Sequence, residues 1–227
     1  MTKLELIRAI SDRMTAAGLK TQRAGVGPKS VAQALLAYDI ALHVEAAASL
    51  LEQRLWSPAT SLRRLILERT EYLEAAGYDE SFAQNYLETK HPDAKGPGRA
   101  GGQRSSMRAG WIRDGLSELE ARAFLDAHRE LSDLASASIH PRALMPSFHF
   151  QVEFANGSPD ATLSLVGSAV ALAGLSVFTS TPTVDRRLAD VQQLCALSAH
   201  WIEEHDGVPV RELIGPDLVV EIDPDGG

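Results

Sequence analysis

The amino-acid sequence predicts an all-α protein, a bundle of about seven helices folded as one domain over residues 1–227. Three observations carry this expectation. Alanine and leucine supply 61 of the 227 residues while aromatic residues are only 6%, a bias toward strong helix formers that pack closely through small side chains. Apolar positions recur at three- and four-residue spacing through most of the chain. Helix start and stop residues bracket those stretches. A chain of this length buries enough apolar surface to need no disulfide or metal staple.

The first helix is expected over 3–17, where Leu4, Ile7, Ile10 and Met14 form a stripe and Gly18 offers a C-terminal cap. Residues 20–28 read as a loop. Pro28 then opens a long helix over about 29–55 with no glycine or proline inside. Its core face is expected to hold Leu35, Leu42, Ala46, Leu50 and Leu51. Ser57-Pro58 restarts the chain, serine as N-cap and proline in the first helical position, and the next helix runs over 58–76 to Gly77. A short helix follows at about 79–89.

Residues 90–110 are rich in Gly, Pro and Ser and nearly devoid of apolar side chains, which predicts a mobile basic loop. Ser117 with Glu120 three positions later makes a capping box, and that helix continues to about His140 before Pro141. Phe148, Phe150, Val152 and Phe154 alternate with polar residues, the period of a strand. Residues 218–222 (LVVEI) are a second strand candidate, which either pairs with 148–154 as a two-stranded element or lies free. Between them, helices are expected over 160–179 and about 183–205. The first of these, nearly all apolar, is close to membrane length. Its three serines and two threonines, and the lack of an aromatic belt, favour a buried helix in a bundle.

Net charge is −8, which excludes a uniformly basic nucleic-acid sheath. The charge is uneven. Six cations and one acid lie between Lys90 and Arg113, whereas eight acids and one base lie in the tail from Glu203 to Asp225. A glycine-rich cationic loop carrying Arg99, Arg104 and Arg108 suits phosphate, because guanidinium forks and backbone N–H groups both bind anions. The same run also reads as a solvated linker, or one that docks on the acidic tail. One cysteine, Cys195, excludes an internal disulfide framework and fits a reducing compartment, and it is expected in the core. The N-terminus has no apolar signal core. These features together predict a cytoplasmic chain with no membrane association.

Common catalytic and ligand-binding motifs are absent from the sequence. There is no CxxC, HExxH, GxGxxG after a strand, GxxxxGK[ST] or GxSxG, so neither a metal nor a cofactor is expected. The residues that attract attention lie on two predicted helices. His128, Ser132, Ser136 and His140 repeat every four residues and form one slanted stripe. Arg64 and Glu68 are spaced to pair, and Arg63 and Glu68 border the apolar face of their helix. An Arg–Glu pair facing a Ser/His stripe makes a polar pocket inside a bundle; the alternative is that it fixes helix register and does no chemistry.

These same segments carry a resemblance. Arg63-Arg64-Leu-Ile-Leu-Glu68 followed by Tyr72, then Arg129-Glu-Leu-Ser132 and Ser136-Ala-Ser138-Ile-His140-Pro141, resemble a family of bacterial helical proteins of uncharacterised function. That family pairs an LRxxxE helix with a later S…HP helix and is similar in layout to HEPN-type domains. The resemblance implies a helical bundle, often dimeric, with RNA or nucleotide-phosphate binding in toxin or phage-defence settings. Arg122–His128 and Arg142–His149 have the Arg-to-His separation of the HEPN nuclease motif, and neither arginine is followed by that motif's polar residue. On this reading His140, Arg64 and Glu68 are catalytic candidates: His140 moves a proton, Arg64 meets phosphorane charge and Glu68 orients it. Arg63, Ser132, Ser136, Arg99, Arg104 and Arg108 bind substrate. The competing expectation is a non-enzymatic homodimeric interaction module whose polar cluster is structural.

Overall fold

A computed structural model describes residues 2–24, 27–88, 102–137, 159–180, 184 and 187–206. They form eight α-helices: α1 Lys3–Ala24, α2 Pro28–Glu52, α3 Trp56–Tyr78, α4 Glu80–Glu88, α5 Gly102–Arg113, α6 Glu118–Ala137, α7 Pro159–Ser180 and α8 Ala189–Asp206. Among the described residues there is no strand. The fold is the expected all-α bundle, and the two strand candidates, 148–154 and 218–222, lie outside the described residues.

Capping chemistry fixes several ends. Thr2 and Glu5 form a reciprocal box at α1: the Thr2 N–H donates to Glu5 Oε2 at 2.7 Å, and the Glu5 N–H to Thr2 Oγ1 at 3.2 Å. Ser117 and Glu120 repeat this at α6, at 2.7 and 3.3 Å. Asp79 starts α4, accepting from the Ser81 and Phe82 N–H groups at 2.9 and 3.2 Å. Two helices end in the same Schellman turn. After α2, the Leu55 N–H reaches Leu50 O at 2.8 Å and the Arg54 N–H reaches Leu51 O at 3.0 Å. After α5, the Leu116 N–H reaches Trp111 O and the Gly115 N–H reaches Ile112 O, at 3.0 and 3.1 Å. Each turn needs one left-handed residue. Glycine fills it at 115 (φ 112°), but an arginine fills it at 54 (φ 59°).

Four boundaries differ from expectation. Helix α1 runs through Gly18 to Ala24, because a glycine permits a stop but does not impose one. Helix α3 starts at Trp56 with Leu55 at the cap and no side-chain cap bond; the Schellman turn at Arg54 ends α2 so abruptly that Ser57 is already inside the next helix. Helix α8 starts at Ala189, with Arg187 and Leu188 in a turn rather than in a helix beginning at 183. Residues 102–110, expected within the mobile loop, belong to α5, which runs on to Arg113. Its Gln103, Met107 and Gly110 are buried, and tertiary packing supplies the stability that local composition lacks.

Helices α1, α2 and α3 pack as successive antiparallel neighbours. Arg8 of α1 binds Glu45 and Glu52 of α2, and Asp39 of α2 accepts from Arg69 of α3 at 2.7 Å. Helix α3 also packs on α4, α5, α6 and α7, and α8 packs on α7. Among the described residues, one apolar cluster draws on all of them except α6. The core face of α2 matches the expected one only at Leu51. It consists of Ala32, Leu36, Ala37, Ile40, Ala41, Val44, Ala47, Ala48 and Leu51. Leu35 and Leu42 are exposed instead, Ala46 is exposed and Leu50 only partly buried. Five of these nine core residues are alanines, whose short side chains let helix axes come close.

Close approach also explains two glycines. A Cβ on Gly110 of α5 would sit 2.1 Å from Cγ of Tyr78, and one on Gly167 of α7 would sit 2.0 Å from Cζ2 of Trp201. Residues 28–52 and 162–179 are long and apolar enough to cross a membrane by length and composition; 50% and 72% of their most apolar windows are buried within the bundle. Cys195 is buried in the core.

Two stability changes follow. Arg54→Gly relieves the left-handed strain that a Cβ imposes and is expected to stabilise the protein by about 1 kcal/mol, read as a higher urea midpoint with an unchanged slope. Gly110→Ala forces a methyl into the Tyr78 ring and is expected to cost about 1–3 kcal/mol in the same measurement.

Candidate functional site

Helix α3 carries a buried polar row facing α5, α6 and α7. Glu71 is buried and forms a two-pronged ion pair with Arg104 of α5: Nη2 lies 3.1 Å from Oε1 and Nε 3.3 Å from Oε2. Gln103 Nε2 adds a third donor at 3.3 Å. One turn on, Glu74 is buried among Ser176 of α7, which donates its hydroxyl to Oε1, and His128 of α6, also buried. Trp111 of α5 closes this corner, its ring 5.7 Å from the His128 ring and 5.6 Å from Phe124. Asp79 Oδ2 accepts from Ser106 at 2.9 Å, fixing the register of α5 on α3.

The two acids solve the same problem differently. Glu71 is charge-paired. Among the described residues no cation is bonded to Glu74, and burial pushes its carboxyl above the usual range; His128, the Ser176 hydroxyl and Trp111 pull it down, and Glu71 pushes it up. Burial likewise pushes the His128 imidazole below its usual value, against the pull of Glu74 and with the help of Arg104. Burial therefore favours a neutral acid beside a neutral imidazole. Glu71, Glu74, Gln103 and His128 are all buried, so the row ties four helices together and presents no open face to a substrate.

The sequence-predicted residues divide as follows. Arg63 is buried on α3. Arg64 and Glu68 are only partly buried, and they do not pair. Glu68 accepts instead from the Tyr72 hydroxyl at 3.2 Å, whose pKa burial pushes up to about 12. Arg104 joins Glu71, about 10 Å along the axis from Arg64, and Arg108 is paired with Glu118 at the start of α6. Ser132 and Ser136 are on α6, with their side chains outside the described residues. Arg99 and His140 lie outside them altogether. Of the predicted stripe, His128 is the member placed in the buried row.

Sequence reasoning missed Glu71, Glu74, Gln103 and Ser176. One signal was available: Glu71 and Glu74 are three apart and flanked by Leu73, Ala75 and Ala76, acids on the same helix face as core residues. Among the described residues, no three His, Cys, Asp or Glu side chains gather as a metal-holding group.

A second feature is on the outside. Val31, Leu35, Tyr38 and Leu42 of α2 are 40%, 43%, 42% and 51% exposed. Their 4-3-4 spacing puts them on one face, opposite the alanine-rich core face. Asp39, held by Arg69, flanks the stripe on one side. Arg8, with Glu45 and Glu52, flanks it on the other. No family model, curated protein or solved structure matches this chain.

The buried couple sets a pH response of known sign. The folded pKa of Glu74 is raised above its unfolded value near 4.5, so its stabilising effect is complete below pH 4.5 and is lost as pH rises toward the folded value. His128 is depressed below 6.5, so its contribution is complete above that pH and is lost as pH falls below it. Glu74→Gln keeps the shape and removes the acid's titration. It is expected to be more stable than the parent at pH 8, with the gap closing toward pH 5, as measured by urea unfolding across that range.

Proposed function

We propose that this protein is a non-enzymatic helical interaction module that works as a homodimer, with the outward stripe of α2 as its contact. The observation that carries the reading is the stripe: four large apolar side chains, each at least 40% exposed, in line on one helix. An amphipathic helix of a lone bundle presents polar residues outward. Here the apolar residues are spaced as in a helix–helix seam, and such a surface marks an association site.

The RNA or nucleotide-phosphate reading has less support. Two of its cations, Arg104 and Arg108, are engaged by Glu71 and Glu118, and the polar row is buried. Arg8, Asp39 and Arg69 instead belong to ion pairs that border the stripe and keep it apolar at its centre.

Leu35→Glu and Leu42→Glu place a charge in the seam. Each is expected to weaken self-association roughly 30-fold or more, about 2 kcal/mol, in sedimentation equilibrium. The helical circular dichroism signal is expected to stay unchanged, because both positions are exposed in the single chain. A wild-type chain that stays monomeric at tens of micromolar, a range ordinary for weak dimers, contradicts the proposal.

A further inference from the structure

We infer that the stripe of α2 pairs with its own copy antiparallel, about a two-fold axis passing between Leu35 and Tyr38. The inference rests on the self-association reading above and adds its geometry. A two-fold axis perpendicular to α2 sets each position of the stripe against its counterpart counted from the other end. With the 4-3-4 spacing, Val31 meets the partner's Leu42 and Leu35 meets the partner's Tyr38. Each large side chain then meets one across the axis, and no exposed charge falls between positions 31 and 42 of the stripe itself.

Charge complementarity selects the same direction. The next stripe position after Leu42 is Glu45, nearly half exposed even with Arg8 bound to it. In the antiparallel register Glu45 lies against the partner's Pro28, the first turn of α2. That turn has Gly27 at its cap, no side-chain cap bond and no acidic residue, so a carboxylate there complements the positive end of the helix dipole. A parallel, in-register pair instead stacks Glu45 on the partner's Glu45 with two like charges side by side.

Disulfide trapping separates the arrangements. Two proteins are made in a Cys195→Ala background, one carrying Val31→Cys and the other Leu42→Cys with a mass tag, and are mixed and oxidised. Antiparallel pairing brings position 31 next to the partner's 42 and leaves like positions about 16 Å apart along the axis, beyond the span of a disulfide. The mixed 31–42 disulfide is then expected to exceed either same-site disulfide by roughly tenfold. Predominant 31–31 and 42–42 disulfides overturn the inference in favour of a parallel pair. A dimer in sedimentation with no trapping at either site also overturns it while leaving self-association standing. A monomer in sedimentation overturns both.

Discussion

Short side chains on the inner face of α2 set the terms for the rest of the molecule. Ala32, Ala37, Ala41, Ala47 and Ala48 are all in the core, and they allow α1 and α3 to approach α2 closely from both sides. Leu36, Ile40, Val44 and Leu51 fill the remaining space, while Leu35, Tyr38 and Leu42 stand on the opposite face, outside. The same constraint recurs where Gly110 accepts the Tyr78 ring and Gly167 accepts Trp201. A bundle that is tight within is left with apolar surface on the outer face of α2.

Polar groups buried along α3 give the bundle its specificity. Glu71 is neutralised by Arg104, and Glu74 is held by a hydroxyl and faces an imidazole. Apolar packing alone tolerates sliding of one helix on another. A carboxylate that must meet a guanidinium fork, one turn from another that must meet a serine, does not tolerate it. These contacts join α5, α6 and α7 to α3 at one level, opposite the side on which α1 and α2 are locked through Arg8. The interior chemistry is that of a register lock, and the outer face of α2 is apolar.

Much of the architecture was legible in the sequence. The helices over 28–52, 56–78 and 159–180, the capping box at Ser117 and the buried Cys195 all follow from local patterns that need no neighbour. The site was less legible. The Arg64–Glu68 spacing permits a pair, but Glu68 takes the Tyr72 hydroxyl instead, because spacing states what is within reach and not which donor arrives. Arg104 was picked for its charge, yet its partner is a buried carboxylate 33 positions away. The core face of α2 was misassigned because size was taken as a sign of burial.

What the chain determined by itself is the set of helices, most of their ends and the predominance of small side chains, since propensity, capping and periodicity act over a few residues. Which face of a helix is inside depends on how near its neighbours come, and that distance is a property of several helices at once. The outward turn of Leu35 and Leu42 was decided only when α1, α2 and α3 packed together, and the helical state of 102–113 and the meeting of Glu74 with His128 and Ser176 only when α3, α5, α6 and α7 did.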